Sequence, residues 1–447
     1  MSLSRTAKIA LAIYLVSLGI YAATSGRRLL RPSSDIHFAY QAQMFLKARL
    51  DLGHAPPTAN DWAEVEVLKL RDGRTVSGCF LRALPYQFRK LDGKREAITD
   101  DQILSREKKY YVSFPPFPSL LFLPFVAIAG LSANDVVLTV ILAAFGPALL
   151  FLILCRLRAR GDSVRSESDD LWLTAMFGVG TVFYYSSVMG QVWYTAHVVS
   201  IVLCGLFILA ALDVKRPLVA GILLGALVLT RPQMGFWGVF FLYELWRAKK
   251  PWLRPLLLCA LPVLMWGVAG AWFNYARFHS LTEFGHFYLN VRWTDRIQRY
   301  GLFNFAFLPR NLSAAFLLTP KFLANKPFFQ ISWHGQSMLL TTPALIYLIW
   351  PKRREPLHTA LWLCVAPIAL MSFLYQNDGW VQFGYRFSID YLLGLLLLLA
   401  VGGRPMTRMW KALIVFGIVV NLFGAITFNR YWTYYHEGFF PLSQSEY

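Results

Sequence analysis

The sequence predicts an all-α integral membrane protein that crosses the bilayer about eleven times. Hydrophobic residues make up 56% of the 447-residue chain and charged residues 15%, a balance far more apolar than in soluble domains of this length. Several apolar runs approach or reach the ~17–25 residues that cross the hydrocarbon core. They lie at 9–23, 134–155, 196–214, 255–273, 357–375 and 410–428. Because they are spread along the whole chain, a single signal sequence does not explain them.

The first apolar run, Ile9–Ala23, follows Arg5 and Lys8 and has the outline of a secretory signal. No convincing small-x-small cleavage site precedes the basic pair Arg27-Arg28, however. We therefore predict that this run is kept as the first membrane span.

Basic residues recur at the ends of the apolar runs, which indicates membrane topology more than nucleic-acid binding, despite a net charge of +19. Eighteen of them fall in one set of short loops, whereas the opposite short loops hold only Arg231 and Arg386. The eighteen are Arg5, Lys8, Arg156, Arg158, Arg160, Arg165, Lys215, Arg216, Arg247, Lys249, Lys250, Arg254, Lys352, Arg353, Arg354, Arg404, Arg408 and Lys411. The N-terminus is therefore predicted to be cytoplasmic, and the chain to be a multi-pass protein of a bacterial inner membrane with its C-terminal tail outside.

Two long loops, 26–114 and 273–335, fall on the predicted extracytoplasmic side of a single membrane domain, 1–447. Successive loops alternate between the two sides of the membrane without conflict only if residues 115–131 do not cross it. Because Pro115, Pro116 and Pro118 stand at its start, we predict an interfacial or re-entrant helix there. An ordinary span remains the alternative, since apolar length alone does not exclude it.

The first long loop carries a hairpin signal. Residues 64–70 alternate in polarity, turn at Arg71-Asp72-Gly73-Arg74 and return through 75–80. The sequence therefore predicts a small β-hairpin insertion at about 62–82, within a loop that otherwise carries interfacial helices.

Charged residues follow directly after the first span. Arg27 and Arg28 lie on the predicted extracytoplasmic side, where basic residues are otherwise few in the short loops. Binding of the phosphate of a lipid carrier is one reason for guanidinium groups there. Contact with ordinary lipid headgroups is the alternative. Asp35 and His37 come next, and Asp35 is the leading candidate for a general base or metal ligand. Asp35 is equally suited to cap the helix that begins near Phe38.

Four features, in order along the chain, resemble the GT-C superfamily of membrane glycosyltransferases, which includes protein O-mannosyltransferases, aminoarabinose transferases and oligosaccharyltransferases. The first is Asp35 soon after span one, with the helix-like stretch 40–50 after it. The second is Tyr110-Tyr-Val-Ser-Phe-Pro-Pro before the membrane-surface segment, and the third is Asn274-Tyr-Ala-Arg-Phe with the motifs up to 311. The fourth is Gly379-Trp-Val-Gln-Phe-Gly-Tyr-Arg leading into an apolar span.

The resemblance implies a GT-C-like bundle and transfer of a sugar from a polyprenyl-phosphate-linked donor to a lipid, glycan or protein acceptor, among membrane lipids and without nucleic acid. It implies that Asp35 is catalytic. The substrate-binding residues that go with it are Arg27, Arg28, His37, Tyr111, Arg231, Glu283 and Arg386. The family often has Asp-Glu where this chain has Asp35-Ile36, so no obligatory divalent metal or other cofactor is expected.

Arg231 and Arg386 are candidates for binding the donor phosphate, because each stands at the outer end of an apolar segment, where a charge needs a partner or water. A buried structural ion pair is the alternative, with Arg386 and Asp390 spaced i,i+4. His197 stands where some family members carry an aspartate, and a polar helix end is its simpler explanation.

A transporter or flippase of a lipid-linked or anionic substrate is the rival function, because a basic outer vestibule serves either role. Transporters usually show related halves and charged residues deep in their spans. Here the unusual charges stand at the outer edge, and the two long loops have no counterpart in each other. The sequence therefore favours a glycosyltransferase.

Overall fold

The computed structural model describes residues 4–249 and 251–438. Lys250, one of the eighteen basic residues counted above, and the last part of the tail lie outside the described residues. In the described part, the α-helices are α1 (Arg5–Ser25), α2 (His37–Leu46), α3 (Phe117–Ala129), α4 (Asp135–Ala159), α5 (Glu167–Val179), α6 (Phe183–Ser187), α7 (Gln191–Ala211), α8 (Pro217–Val228), α9 (Gly238–Arg247), α10 (Leu253–Phe278), α11 (Thr294–Tyr300), α12 (Leu308–Phe316), α13 (Met338–Thr341), α14 (Pro356–Leu374), α15 (Ile389–Val401) and α16 (Arg408–Thr427). The strands are β1 (Trp62–Leu70), β2 (Thr75–Phe80), β3 (Gln87–Lys90), β4 (Arg95–Ala97), β5 (Ile103–Val112), β6 (Lys321–Phe322), β7 (Phe329–Ser332) and β8 (Tyr435–His436).

In the described part of the chain, six helical segments are long and apolar enough to cross a membrane, with lengths from 19 to 26 residues. They contain α1, α4, α7, α10, α14 and α16, which correspond to the six apolar runs of the sequence. Their ends carry ordinary helix signals, such as the Asn134 side chain that accepts hydrogen bonds from Val136 N and Val137 N at the start of α4. The chain is thus a mostly helical, multi-pass integral membrane protein.

The basic loops of the sequence meet at one end of the bundle, here called the basic end. Arg5 pairs with Glu167 at 2.6 Å, and Arg160 pairs with Glu244 at 2.9 Å. Arg165 Nη2 donates to the carbonyl of Leu399 at 2.6 Å. These contacts join the start of α1 to the start of α5, and the loop after α4 to the last turns of α9 and α15.

Five further segments of the described chain are short or interrupted helices. They are 167–187, 217–228, 232–247, 338–348 and 386–401. Their breaks lie at residues such as Gly180, Gly238 and Pro343. Among the described residues, six segments reach the length of an uninterrupted span, so the count of about eleven crossings stays a prediction.

Helix α3 begins and ends at the same end of the bundle, opposite the basic end. At its start, Phe117 N donates to the carbonyl of Leu229 at 3.1 Å, next to the end of α8. Beyond its end, Asn134 Nδ2 donates to the carbonyl of Leu29 at 2.9 Å, just after α1. An interfacial or re-entrant helix requires this arrangement, and α3 packs on α2 through Phe122.

The hairpin of the first long loop is the centre of a larger antiparallel sheet with strand order β4-β3-β2-β1-β5. Leu70 N donates to the carbonyl of Arg74 at 2.8 Å around the turn, where Gly73 adopts φ +86°. The sequence predicted only β1 and β2. Strands β3 and β4 are too short to show alternating polarity, and the central residues of β5 are charged. The sheet is attached to α10 by Arg277 Nη1, which donates to the carbonyl of Val112 at 2.8 Å.

The predicted orientation can be tested with introduced cysteines. Ser105 on β5 and Val164 at the basic end are both exposed, Val164 at 63%. We expect S105C, and not V164C, to react with a membrane-impermeant thiol reagent in intact spheroplasts, with V164C reacting only after permeabilisation. Background should be low, because burial raises the pKa of the Cys79 thiol to about 12 and the other four cysteines lie in helices. The reverse labelling pattern would place the candidate site on the cytoplasmic side.

Candidate functional site

A cavity of about 540 Å³ lies at the end of the bundle opposite the basic end. Its wall comes from the first long loop, the start of α7, the connection between α8 and α9, the second long loop, the loop before α15 and the segment after α16. Aromatic side chains such as Tyr375, Phe387 and Phe428 alternate there with a few charged and amide groups. A mainly apolar wall with a few placed polar groups is typical of small-molecule sites.

The first two turns of α7 hold the charged groups of this cavity. Gln191 binds Asp35, Trp193 binds Asp61, the ring of Tyr194 lies 5.6 Å from the Arg386 guanidinium, and His197 binds Asp390. Gln191 and Tyr194 are three residues apart, slightly less than one helical turn, so their side chains are neighbours on one helix face. Carboxylate and guanidinium groups from distant parts of the chain are therefore brought together along one helix.

Helix α7 starts where it does because Gly190 and Asp135 fix its first residue. Gly190 has φ +64°, and a Cβ there would lie 2.7 Å from Val136 Cγ2. Asp135 Oδ2 accepts from Gln191 N at 2.8 Å and from Ser33 Oγ at 2.6 Å. One buried carboxylate thus joins the loop that carries Asp35 to the helix that orients it.

Asp35 is 4% exposed and lines the cavity. Its Oδ2 accepts from Ser34 Oγ at 2.5 Å and from Gln191 Nε2 at 2.9 Å. Its Oδ1 is buried and has no hydrogen-bond partner among the described residues. The alternative that Asp35 caps α2 is wrong, because Ile36 is the residue before that helix and no side chain caps it.

Asp61 is a second cavity carboxylate, which the sequence analysis missed. Its Oδ2 accepts from Trp193 Nε1 at 2.6 Å. Burial raises the pKa of the Asp61 carboxyl, while the Trp193 hydrogen bond and the nearby His37 and Arg386 oppose that rise. Its backbone has φ +53°, an uncommon conformation for a non-glycine residue that is often found at functional sites.

Arg386 is 5% exposed and lines the cavity without any carboxylate partner among the described residues. Its Nη1 donates to the carbonyls of Gly379 and Val381, the latter at 3.1 Å, and its Nε has no partner. The alternative of an ion pair between Arg386 and Asp390 is wrong. The i,i+4 rule assumes a continuous α-helix, whereas residues 386–388 form a 3₁₀ turn that directs Arg386 away.

Asp390 pairs instead with Arg231, whose Nη2 lies 2.5 Å from Asp390 Oδ2. His197 Nδ1 lies 2.8 Å from Asp390 Oδ1, and Gln233 Nε2 donates to Oδ2 at 2.6 Å. The alternative of a buried structural ion pair is therefore correct for Arg231. It still borders the cavity, and its Nη1 makes no hydrogen bond within the described chain.

Three predicted substrate-binding residues near the first span, Arg27, Arg28 and His37, do not line the cavity. Arg27 is exposed, and Arg28 Nη2 donates to the carbonyl of Phe428 at 2.5 Å, behind the cavity wall. His37 is buried and stacks on Trp62, with ring centroids 4.1 Å apart. Burial lowers the pKa of His37, although its contact with the Asn60 carbonyl opposes this. His37 therefore supports the loop that holds Asp61.

Two other predicted substrate-binding residues also lie away from the cavity. Tyr111 packs edge-on against Phe278 at 5.3 Å, and burial raises the pKa of Tyr111 to about 12. Glu283 Oε1 accepts from Gly285 N at 2.6 Å and so fixes a local turn. His286, three residues later, does line the cavity, and burial lowers the pKa of His286 to about 4. The neutral imidazole can both donate and accept a hydrogen bond.

Within residues 4–249 and 251–438, there is no group of three or more His, Cys, Asp or Glu side chains placed to hold a metal ion. The side chains that the cavity does offer are a carboxylate with an unused oxygen and a guanidinium with unused donors. The first can accept a proton and the second can bind an anion.

Comparison with known proteins gave one solved structure. No protein-family model and no curated protein matches the chain. The oligosaccharyltransferase of Archaeoglobus fulgidus in its apo form matches with a TM-score of 0.42 and 13% sequence identity, over 95% of this chain. The match covers 56% of that protein, so the present chain spans little more than half its length.

Proposed function

We propose that this chain is a membrane glycosyltransferase that moves a sugar from a polyprenyl-phosphate-linked donor to a lipid, glycan or protein acceptor at the extracytoplasmic face. One observation supports it most strongly. Among the residues that the structure describes, one cavity contains a buried carboxylate oxygen without a partner, on Asp35, and a buried guanidinium without an acidic partner, on Arg386. The motif resemblance to the GT-C superfamily supplies the donor class.

Asp35 acts as the base in this proposal. It takes the proton from an acceptor hydroxyl or amine as that group attacks the anomeric carbon of the donor sugar. The bond between the anomeric carbon and the phosphate oxygen breaks, and its electron pair stays on the phosphate. The unpartnered Oδ1 suits this role because Oδ2 is already held by Ser34 and Gln191.

Arg386 stabilises the leaving phosphate. Its guanidinium is oriented by two carbonyls and makes no ion pair with a carboxylate of the described residues, so its remaining N–H groups can bind an anion. Arg231 contributes less, because Asp390 already neutralises it. The apolar wall strengthens both interactions by excluding water.

Donor turnover by purified protein tests the proposal. Protein reconstituted in nanodiscs would be incubated with a panel of radiolabelled polyprenyl-phosphate sugars and a total envelope extract as acceptor. We expect one donor to lose its sugar and release polyprenyl phosphate. If no donor is consumed, while sealed vesicles containing the protein move one of them intact across the bilayer, the transporter or flippase function is correct instead.

A further inference from the structure

We propose that the acceptor is a saccharide chain, bound along four tryptophans at the mouth of the cavity. These residues, Trp293, Trp380, Trp333 and Trp432, are called the tryptophan strip below. The role as acceptor rests on the proposed function, whereas binding of a saccharide does not. The proposal narrows the acceptor from lipid, glycan or protein to one chemical class.

The four indoles form a continuous row. Ring centroids lie 5.7 Å apart between Trp293 and Trp380, 6.0 Å between Trp380 and Trp333, and 5.8 Å between Trp333 and Trp432. Four separate segments each supply one indole: the residue before α11, the loop before α15, the end of β7 and the segment after α16. Parts of the chain far apart in sequence thus place the same side chain at one location.

The strip leads to the reacting groups. Trp293, Trp380 and Trp432 line the same cavity as Asp35. Trp380 precedes Val381, whose carbonyl accepts from Arg386 Nη1 at 3.1 Å and from the Tyr194 hydroxyl at 3.2 Å. A chain lying on the strip would therefore have its end beside Arg386 and Asp35, while the rest extends outward past Trp432, which is 45% exposed.

A membrane-interface aromatic belt does not account for the strip. Belt tryptophans face lipid, as Trp246, Trp252 and Trp272 can, with exposures of 60–68% on or next to α9 and α10. Trp293, Trp333 and Trp380 are instead only partly exposed and pack against one another beside the cavity. They are therefore placed beside the cavity and do not anchor the protein at the membrane surface.

The chemistry of the strip fits a saccharide better than an alkyl chain. Each sugar ring presents C–H groups, which suit the negative face of an indole, and hydroxyls, which need hydrogen-bond partners. Trp380 and Trp432 line the cavity, and their indole N–H groups donate no hydrogen bond in the described part of the chain; the indole N–H groups of Trp293 and Trp333 are buried and also lack an acceptor there. The carboxamide of Asn377 lies at the cavity wall beside them. An alkyl chain would leave these polar groups unpaired, at a cost in free energy.

Ion pairs fix the chain beside two of the four indoles, Trp380 and Trp333, before any ligand arrives. Asp378, two residues before Trp380, pairs with Arg310 at 2.7 Å and with His334, the residue after Trp333, at 2.7 Å. Burial alone would raise the pKa of Asp378, but His334 and Arg310 hold it well below its ordinary range, so the Asp378 carboxylate stays charged over the physiological pH range. A platform that is already ordered loses little entropy when it binds.

Binding to an oligosaccharide array tests the inference. Protein in nanodiscs would be applied to immobilised oligosaccharides of two to eight sugars, with peptide and lipid arrays in parallel. We expect binding to a subset of the oligosaccharides only, weakened about tenfold or more by W432L and W380L. W272L, which removes an indole exposed at 64% on α10, is the matched control and should bind as wild type does.

Absence of binding to every oligosaccharide, or equal binding by W432L and wild type, would overturn the proposal, as would binding confined to peptide or lipid spots. Because Trp432 is exposed, its variant should fold normally, and thermal unfolding would check this. Donor turnover, measured separately, distinguishes the two hypotheses. Saccharide binding without turnover of any donor contradicts only the proposed function, and turnover without saccharide binding contradicts only this inference.

Discussion

Replacing Asp35 by asparagine is expected to lower sugar transfer by about 10²–10⁴-fold, which is the usual contribution of a general base. Asparagine has nearly the shape of aspartate, and its oxygen can keep the hydrogen bonds from Ser34 and Gln191. Its amide group cannot accept a proton at neutral pH. Donor binding and folding should therefore survive, while the chemical step is lost.

The control for this experiment is D101N, which makes the same chemical change at an exposed position of the same loop. Thermal unfolding of both variants should match wild type within a few degrees, because Asp35 caps no helix. A well-folded D35N that keeps half the wild-type rate would remove Asp35 as the base. Asp61 would then be the next candidate, since its carboxylate lines the same cavity.

Loss of the Arg386 guanidinium has the second large expected effect. Removing one preorganised donor from a developing oxyanion typically costs about 10²–10³-fold in rate. We expect R386M to show that loss in the rate of donor turnover, and R386K to recover little of it. Lysine keeps the charge but does not reproduce the planar contact of Arg386 with two carbonyls, nor the paired hydrogen bonds proposed for the phosphate.

Arg231 provides the matched comparison. R231M should reduce stability more than R386M, since it leaves the buried Asp390 without its guanidinium, a change that costs about 3–5 kcal/mol when one partner of a buried pair is removed. The double variant R231M/D390N should recover stability. Thermal unfolding together with donor turnover separates the two arginines. Equal effects of R231M and R386M on both measurements would contradict the distinction between a paired and an unpaired guanidinium.

The sequence was sufficient to predict the membrane helices because their signal is local. Apolar length gives α4 or α16 directly, and the charges at their ends show which loops share a side. The short segments between them were harder, since helices such as α8 and α13 are too short for a length rule. Strand β5 was also missed, because its sequence does not alternate clearly in polarity. It forms a strand by pairing with β1, which lies far from it along the chain.

The candidate site was predictable only where a residue's position is set by a nearby span. Asp35 and Arg386 stand directly beside apolar segments, which is why the sequence pointed to both. Asp61 owes its place to Trp193, 132 residues away, and no spacing rule connects them. The choice of Arg231 over Arg386 as the partner of Asp390 likewise depends on tertiary packing.

Helix α7 gives the site a single rotational register. Each residue added to an α-helix turns everything after it by about 100°. Asp35, Asp61, Arg386 and Asp390 all contact its first two turns, so a one-residue insertion there would turn some of these contacts away from the cavity together. The opposing loops carry only one or two such contacts each. Evolution of a new substrate preference should therefore proceed through changes in those loops, while α7 keeps its length.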